Sequence, residues 1–132
     1  MSSFAHEVIE FNQQVLKIEP REVGPLTPAE FDISVKALKE EIEEFATAYE
    51  AIDIIGQIDA MVDLQYFAMG VLYKLGMTAE QINKCCTAVH KANMGKKLGI
   101  KPSRGDGSAA DAIKPDGWVA PELAIMQILE GE

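Results

Sequence analysis

Cysteine, histidine and tryptophan are scarce in this chain of 132 residues, which has two cysteines, two histidines and one tryptophan. Cys85 and Cys86 are adjacent, so they form no disulfide framework and no Cys-x-x-Cys pair. His6 and His90 are too few, and too far apart in the sequence, for a zinc site. These features favour a reducing, cytoplasmic compartment.

Positively charged residues are also few. Lys and Arg total 12 against 21 Asp and Glu, which gives a net charge of −9. Contacts to nucleic-acid phosphates need clustered cations, so the composition argues against a nucleic-acid partner. An acidic protein can still bind a phosphorylated small molecule when a metal ion lies between the two sets of anions.

Long apolar runs are missing as well. The richest stretch, Met61–Tyr73, is too short to span a bilayer and is interrupted by Asp63 and Gln65. Met1–Pro20 carries charged residues where a signal peptide has its apolar core. The sequence therefore predicts no membrane segment and no targeting signal.

Apolar residues at helical spacing are abundant in the chain. The predicted helices are Phe4–Ile18, 28–50, Asp53–Leu75, 78–94 and Pro121–Leu129. The glycine-containing segment Lys96–Asp116 is predicted to be a loop. We expect an all-α fold: a bundle of four main helices plus a short C-terminal helix, forming one domain over 1–132.

The second and third helices have distinct patterns. Thr27, Pro28 and Glu30 form a capping-box start for the second helix. Its predicted buried stripe consists of Phe31, Val35, Leu38, Ile42, Phe45 and Tyr49. The third helix is apolar almost all round and is followed by Gly76, a plausible terminator. Such a helix is typical of a bundle centre or of the interface of a dimer or higher oligomer.

Two pairs of acidic residues are candidate metal ligands. Glu41 and Glu44 lie about 60° apart on the second helix, and Asp59 and Asp63 about 40° apart on the third. A solvated acidic face explains the glutamates alone, but two aspartates on one flank of an apolar helix repel each other unless a cation lies between them. If the two helices are antiparallel neighbours, the four carboxylates form a site for one or two Mg²⁺ ions.

These residues also carry a family resemblance. Glu40-Glu41-x-x-Glu44, followed by Asp59-Ala60-Met61-Val62-Asp63, resembles the motifs of the all-α nucleoside triphosphate pyrophosphohydrolases. These are the MazG-like enzymes and their phosphoribosyl-ATP pyrophosphohydrolase relatives. Their second motif usually reads Glu-x-x-Asp, and Ala60 stands where that Glu would be, so Asp59 is the expected substitute. On a helical wheel, Asp59 lies about 40° from Asp63 and position 60 about 60° from it on the other side, so Asp59 is expected nearer to the face that meets the second helix and Ala60 turned away from it.

Two later segments, 90–96 and 114–118, are similar to one branch of the family, so the resemblance covers roughly Phe31 to Pro121. It implies hydrolysis of a nucleoside triphosphate between the α and β phosphates, giving a nucleoside monophosphate and pyrophosphate. It also implies a homodimer or homotetramer. Glu41, Glu44, Asp59 and Asp63 would hold Mg²⁺, with Mn²⁺ as an alternative ion. Glu40 is a candidate base or a group that supports the metal ligands.

The predicted substrate contacts are Asn93, Lys96, Lys114 and Trp118. Asn93 falls on the predicted inward stripe of the fourth helix, with Ile82, Cys86 and Val89. Three of these contacts also have a structural interpretation. Asn93 could bond a neighbouring backbone, Lys96 could stabilise the helix dipole, and Trp118 could dock the tail on the bundle.

Two alternative functions share parts of this pattern. A non-catalytic nucleotide- or metal-binding regulatory module of the same fold stays open, because Ala60 departs from the family motif. A carboxylate-bridged di-iron bundle needs Glu-x-x-His motifs. Thr87 and Ser3 occupy the positions three residues before His90 and His6, which argues against that site.

Overall fold

The computed structural model describes residues 3–104 and 111–131 and confirms the all-α prediction. The helices are α1 (Phe4–Gln14), α2 (Pro28–Glu50), α3 (Ile54–Lys74), α4 (Ala79–Met94) and α5 (Glu122–Leu129). The chain is divided into two compact units. The first, Met1–Ala79, holds α1 to α3, and the second, Glu80–Glu132, holds most of α4 and all of α5. In the described residues, no helix is long and apolar enough to cross a membrane.

The start of α2 is fixed by the predicted capping box. The backbone N–H of Glu30 donates to Thr27 Oγ1 at 3.1 Å, and the N–H of Thr27 donates to Glu30 Oε1 at 3.0 Å. Arg21 donates to both Glu30 carboxylate oxygens at 3.0 and 2.9 Å, and this pairing lowers the pKa of Glu30 to about 2. The pair's contribution to stability is therefore present at neutral pH and is lost as the pH falls towards 2.

A short turn joins α2 to α3, and the two helices pack along each other as antiparallel neighbours. Asp53 caps α3 by accepting a hydrogen bond from the N–H of Gly56 at 2.9 Å. A Cβ on Gly56 would lie 3.1 Å from the Ala48 Cβ, so small residues let the two backbones approach. The helices that carry the four carboxylates are thus held side by side.

The buried line of α2 differs from the predicted stripe. Its buried residues are Ser34, Glu41 and Ala48, spaced seven apart. Phe31, Ile42 and Tyr49 are exposed, whereas the other members of the stripe are half-buried. The prediction failed in part because α2 has apolar residues on more than one face, and packing against α3 selected the face with small and polar side chains.

The first helix packs against α3 through aromatic contacts. The Tyr66 ring lies edge-on to Phe4 and Phe11, with centroids 5.9 and 5.5 Å apart. The Tyr73 hydroxyl donates to the Ile18 carbonyl at 2.8 Å, which ties the segment after α1 to the same helix. Although the helix was predicted to continue to Ile18, it ends at Gln14, and Lys17 takes a left-handed φ of 59°.

The end of α3 and its outer face follow the sequence closely. Gly76 follows the helix with a φ of +99°, and a Cβ there would collide with the Glu22 backbone, which confirms Gly76 as the terminator. Ile55, Ile58 and Val62 remain exposed on α3. An apolar face of this kind is what the predicted oligomer would cover, and the oligomer stays a prediction.

The second unit contains a small hairpin that the sequence did not predict. Strands β1 (Lys97–Gly99) and β2 (Asp111–Ile113) pair antiparallel, with Leu98 opposite Ala112. Both strands fall in the segment predicted to be a loop, and three residues are too few to show an alternation. Residues 105–110 of that segment lie outside the described part of the chain.

The face of α4 that is buried also differs from the prediction. Ile82 and Cys85 are buried, but Cys86, Val89 and Asn93 are exposed. The predicted inward stripe was therefore wrong beyond Ile82. Asn93 is not a polar side chain on a buried face, and the argument that it needs a partner for that reason does not hold.

Candidate metal centre

Three carboxylates of α2 and two of α3 surround one stretch of the helix pair. Glu41 is 7% exposed and Asp63 is half-buried. Glu40, Glu44 and Asp59 are exposed at its edge. Because α2 and α3 run antiparallel, residues that follow Glu41 on α2 face residues that precede Asp63 on α3. This arrangement brings the two predicted acidic pairs to the same part of the first unit.

Glu41 is the electrostatic centre of this group. Burial raises the pKa of its carboxyl group, and the nearby negative charges of Glu44, Asp63, Asp59 and Glu40 raise it further, in that order. In the absence of a cation, the folded protein therefore holds the Glu41 proton more strongly than the unfolded chain does. Its contribution favours folding at low pH and is lost as the pH rises through the raised pKa.

One oxygen of Glu41 has no hydrogen-bond partner in the described part of the chain. Oε1 is fully buried and accepts no hydrogen bond from residues 3–104 or 111–131. A buried carboxylate oxygen without a donor costs free energy, so its persistence needs an explanation. The four charged groups that act on it are carboxylates, which are acceptors rather than donors, and a cation is a partner that would satisfy all of them.

The donor set fits a hard divalent ion. Mg²⁺ prefers carboxylate oxygens and is commonly held by few of them, with water completing its coordination. Within the described residues, no group of three or more Asp, Glu, His or Cys side chains is close enough together to hold a metal ion. The structure thus offers suitable oxygens without a formed coordination sphere.

An open acidic pocket of about 420 Å³ lies beside this group. Its walls include Glu40, Glu43, Glu44 and Asp59. Glu43 was not among the predicted site residues, although it belongs to the same acidic run on α2. The acidic run could have indicated Glu43, because residues three apart on a helix, such as Glu40 and Glu43, share a face.

Asp59 and Ala60 are arranged differently from the helical-wheel expectation. That expectation put Asp59 nearer to the face that meets α2 and turned Ala60 away from it. Instead Ala60 is 1% exposed, whereas Asp59 is exposed on the wall of the acidic pocket. A small residue is needed where α3 packs closely, and Asp59 still acts on Glu41 from the pocket side.

The helix pair that carries these carboxylates lies in a region that matches a known protein family. Residues 8–93, well over half of the chain, match the family model described as phosphoribosyl-ATP pyrophosphohydrolase. The chain belongs to this family. The phosphoribosyl-ATP pyrophosphohydrolase family is part of the MazG-like all-α superfamily, which confirms the resemblance drawn from the motifs. Its members typically depend on a divalent cation. A comparison with curated proteins gave no match.

The phosphoribosyl-ATP pyrophosphohydrolase match contains all four predicted metal ligands and ends at Asn93. The remaining predicted substrate contacts lie beyond it, in the second unit. Lys96 and Lys114 place their Nζ atoms 5.3 and 5.0 Å from the centroid of the Trp118 ring. The Trp118 indole N–H donates to the Ala92 carbonyl at 2.7 Å. Trp118 is therefore anchored to the end of α4, and two lysine ammonium groups lie near its ring.

Proposed function

We propose that this chain is a Mg²⁺-dependent pyrophosphohydrolase. It would cleave a nucleoside triphosphate, or a close relative, between the α and β phosphates. The products would be a nucleoside monophosphate and pyrophosphate. The observation that carries the proposal is the unpartnered oxygen of buried Glu41, set among four other carboxylates inside the family match.

Glu41, Glu44, Asp59 and Asp63 would hold the metal ion. A bound Mg²⁺ supplies positive charge to phosphate oxygens and lets an acidic protein accept a polyanionic substrate. Glu41 and Asp63 are the more buried pair and fix the inner side of the site, while Glu44 and Asp59 approach from the pocket. Mn²⁺ would occupy the same oxygens.

Glu40 would take the proton of the attacking water. It is exposed on the pocket wall, so its carboxylate is accessible to solvent. As a water molecule attacks phosphorus and the bond to the bridging oxygen breaks, a carboxylate oxygen of Glu40 would accept the released proton. Asn93, Lys96, Lys114 and Trp118 lie in the second unit and stay predicted substrate contacts, the two lysines by their charge.

The products of hydrolysis test this function. We expect the wild-type protein with Mg²⁺ to release pyrophosphate, and no orthophosphate, from at least one member of a panel of ribo- and deoxyribonucleoside triphosphates and phosphoribosyl-ATP. Chromatography of the nucleotide product and separate assays for the two phosphates give the readout. Release of orthophosphate alone would contradict cleavage at the α–β bond. Binding without turnover would instead indicate the regulatory module.

Divalent ions are expected to stabilise the protein specifically. A cation that binds the folded carboxylate group but not the unfolded chain raises the melting temperature by mass action. We expect a larger rise with MgCl₂ or MnCl₂ than with NaCl at equal ionic strength, and a larger rise at pH 8 than at pH 5, where protons compete for Glu41. Thermal denaturation followed by circular dichroism measures the difference. Equal shifts for both kinds of salt would mean an ordinary acidic surface.

A further inference from the structure

A second cavity lies in the first unit, between α1, α2 and α3. Its volume is about 160 Å³, and its lining is mostly apolar. Three aromatic side chains, Phe11, Tyr66 and Phe67, contribute to its walls. Flat aromatic and apolar walls are typical of sites that stack a planar ring.

Two buried polar side chains interrupt this apolar lining. Ser34 is 7% exposed, and its Oγ has no hydrogen-bond partner in the described chain. Asn12 is 3% exposed and donates its Nδ2 to the Val8 carbonyl at 2.9 Å. Gly70 leaves room for the Asn12 amide, because a Cβ there would lie 3.3 Å from Nδ2. The cavity thus presents a free hydroxyl, which can donate and accept, beside an amide.

The cavity is one helical turn from the carboxylates. Ala37, which lines it, precedes Glu41 by four residues on α2, and Phe67, which also lines it, follows Asp63 by four residues on α3. Because α2 and α3 are antiparallel, both steps run in the same direction in space. A ligand with its phosphates at the carboxylates and its other end in this cavity would therefore lie along the α2–α3 pair.

We infer that the cavity binds the base of the substrate nucleotide and that it fits a single-ring pyrimidine. This inference rests on the proposed function and names its substrate class. Cavities of about 150 Å³ take one benzene-sized ring, so a volume of about 160 Å³ matches a pyrimidine better than the two fused rings of a purine. Ser34 Oγ bonds the polar edge of the ring, and the aromatic walls stack on its faces. Phosphoribosyl-ATP, which carries adenine, is then a poor substrate for this chain.

Comparison of bases is the first test. We expect kcat/KM for CTP or UTP, measured as pyrophosphate release, to exceed the values for ATP and GTP by about tenfold or more. Calorimetric titration with CMP, UMP and AMP measures the same preference without turnover. Equal values for purines and pyrimidines in both measurements would overturn the inference.

Filling the cavity is the second test. Ala37→Leu is expected to lower kcat/KM for the better pyrimidine substrate by about tenfold or more, because its side chain occupies the space of the ring. Ala46→Leu makes the same change at an exposed position of α2 and should have little effect. Ser34→Ala removes only the hydroxyl and should lower pyrimidine affinity about three- to tenfold.

The two proposals fail in different ways. Pyrimidine monophosphate binding that Ala37→Leu abolishes, in a protein without turnover, would support the cavity and overturn the enzymatic function. Pyrophosphate release that is indifferent to the base and to both cavity substitutions would support the enzyme and overturn the cavity. Should Ala37→Leu fail to fold, Ser34→Ala decides, since wild-type pyrimidine affinity in that variant would overturn the inference.

Discussion

Replacement of Glu41 by glutamine is expected to lower kcat by about 100-fold or more, which exceeds the effect usually seen for residues that only support metal ligands. The amide keeps the size of the side chain and removes the negative charge, so the pocket retains its shape but loses its most buried metal ligand. Steady-state pyrophosphate release at saturating Mg²⁺ measures the change. Asp63→Asn is expected to behave in the same way.

The matched control is Glu50→Gln, because Glu50 is an exposed carboxylate at the end of the same helix. It should keep wild-type turnover. Glu41→Gln should also remove the specific stabilisation by Mg²⁺, and at pH 8 without metal it should melt no lower than the wild type, since a buried charge has been removed. Near wild-type turnover in Glu41→Gln would contradict the assignment of the metal centre.

Asp59→Ala is expected to reduce kcat about as much as Asp63→Ala does, although Asp59 is exposed. Its charge acts on Glu41 from the wall of the acidic pocket, where the ion and the phosphates would lie. The same kinetic assay measures the loss. Asp32→Ala, which removes an exposed aspartate nearer the start of α2, is the control and should leave kcat unchanged.

A glutamate at position 60 is expected not to restore activity. Ala60 is almost fully buried, so Ala60→Glu would overpack the helix contact and bury a carboxylate. We expect a lower melting temperature for the single substitution and no recovery of kcat when it is combined with Asp59→Ala. Recovery in the double variant would show that the usual family position is the functional one here.

The features predicted well from the sequence are local ones. The capping box at Thr27 and Glu30 and the terminator Gly76 depend on a few neighbouring residues, so their signals are complete in the sequence. The spacing of Asp59 and Asp63 on an apolar helix is also local, and it led to the acidic group around Glu41.

The features predicted poorly depend on tertiary packing. Both α2 and α3 have more apolar residues than one face can bury, so periodicity alone does not identify the face that packs. Ser34 and Ala60 lie on the buried face because small side chains let helices approach. The cavity beside Ser34 depends on three separate helices, so no single segment carries its signal.

The seven-residue spacing of the buried side chains on α2 has a consequence for where a substrate is cut. Ser34 and Glu41 belong to one uninterrupted helix and are separated along its axis by about 10.5 Å. For any ligand that contacts both residues, this fixed distance sets the separation between the two groups of the ligand that make the contacts. A molecule anchored at Ser34 presents the same phosphorus to Glu41 each time, so the rigidity of a single helix would determine the regioselectivity of cleavage.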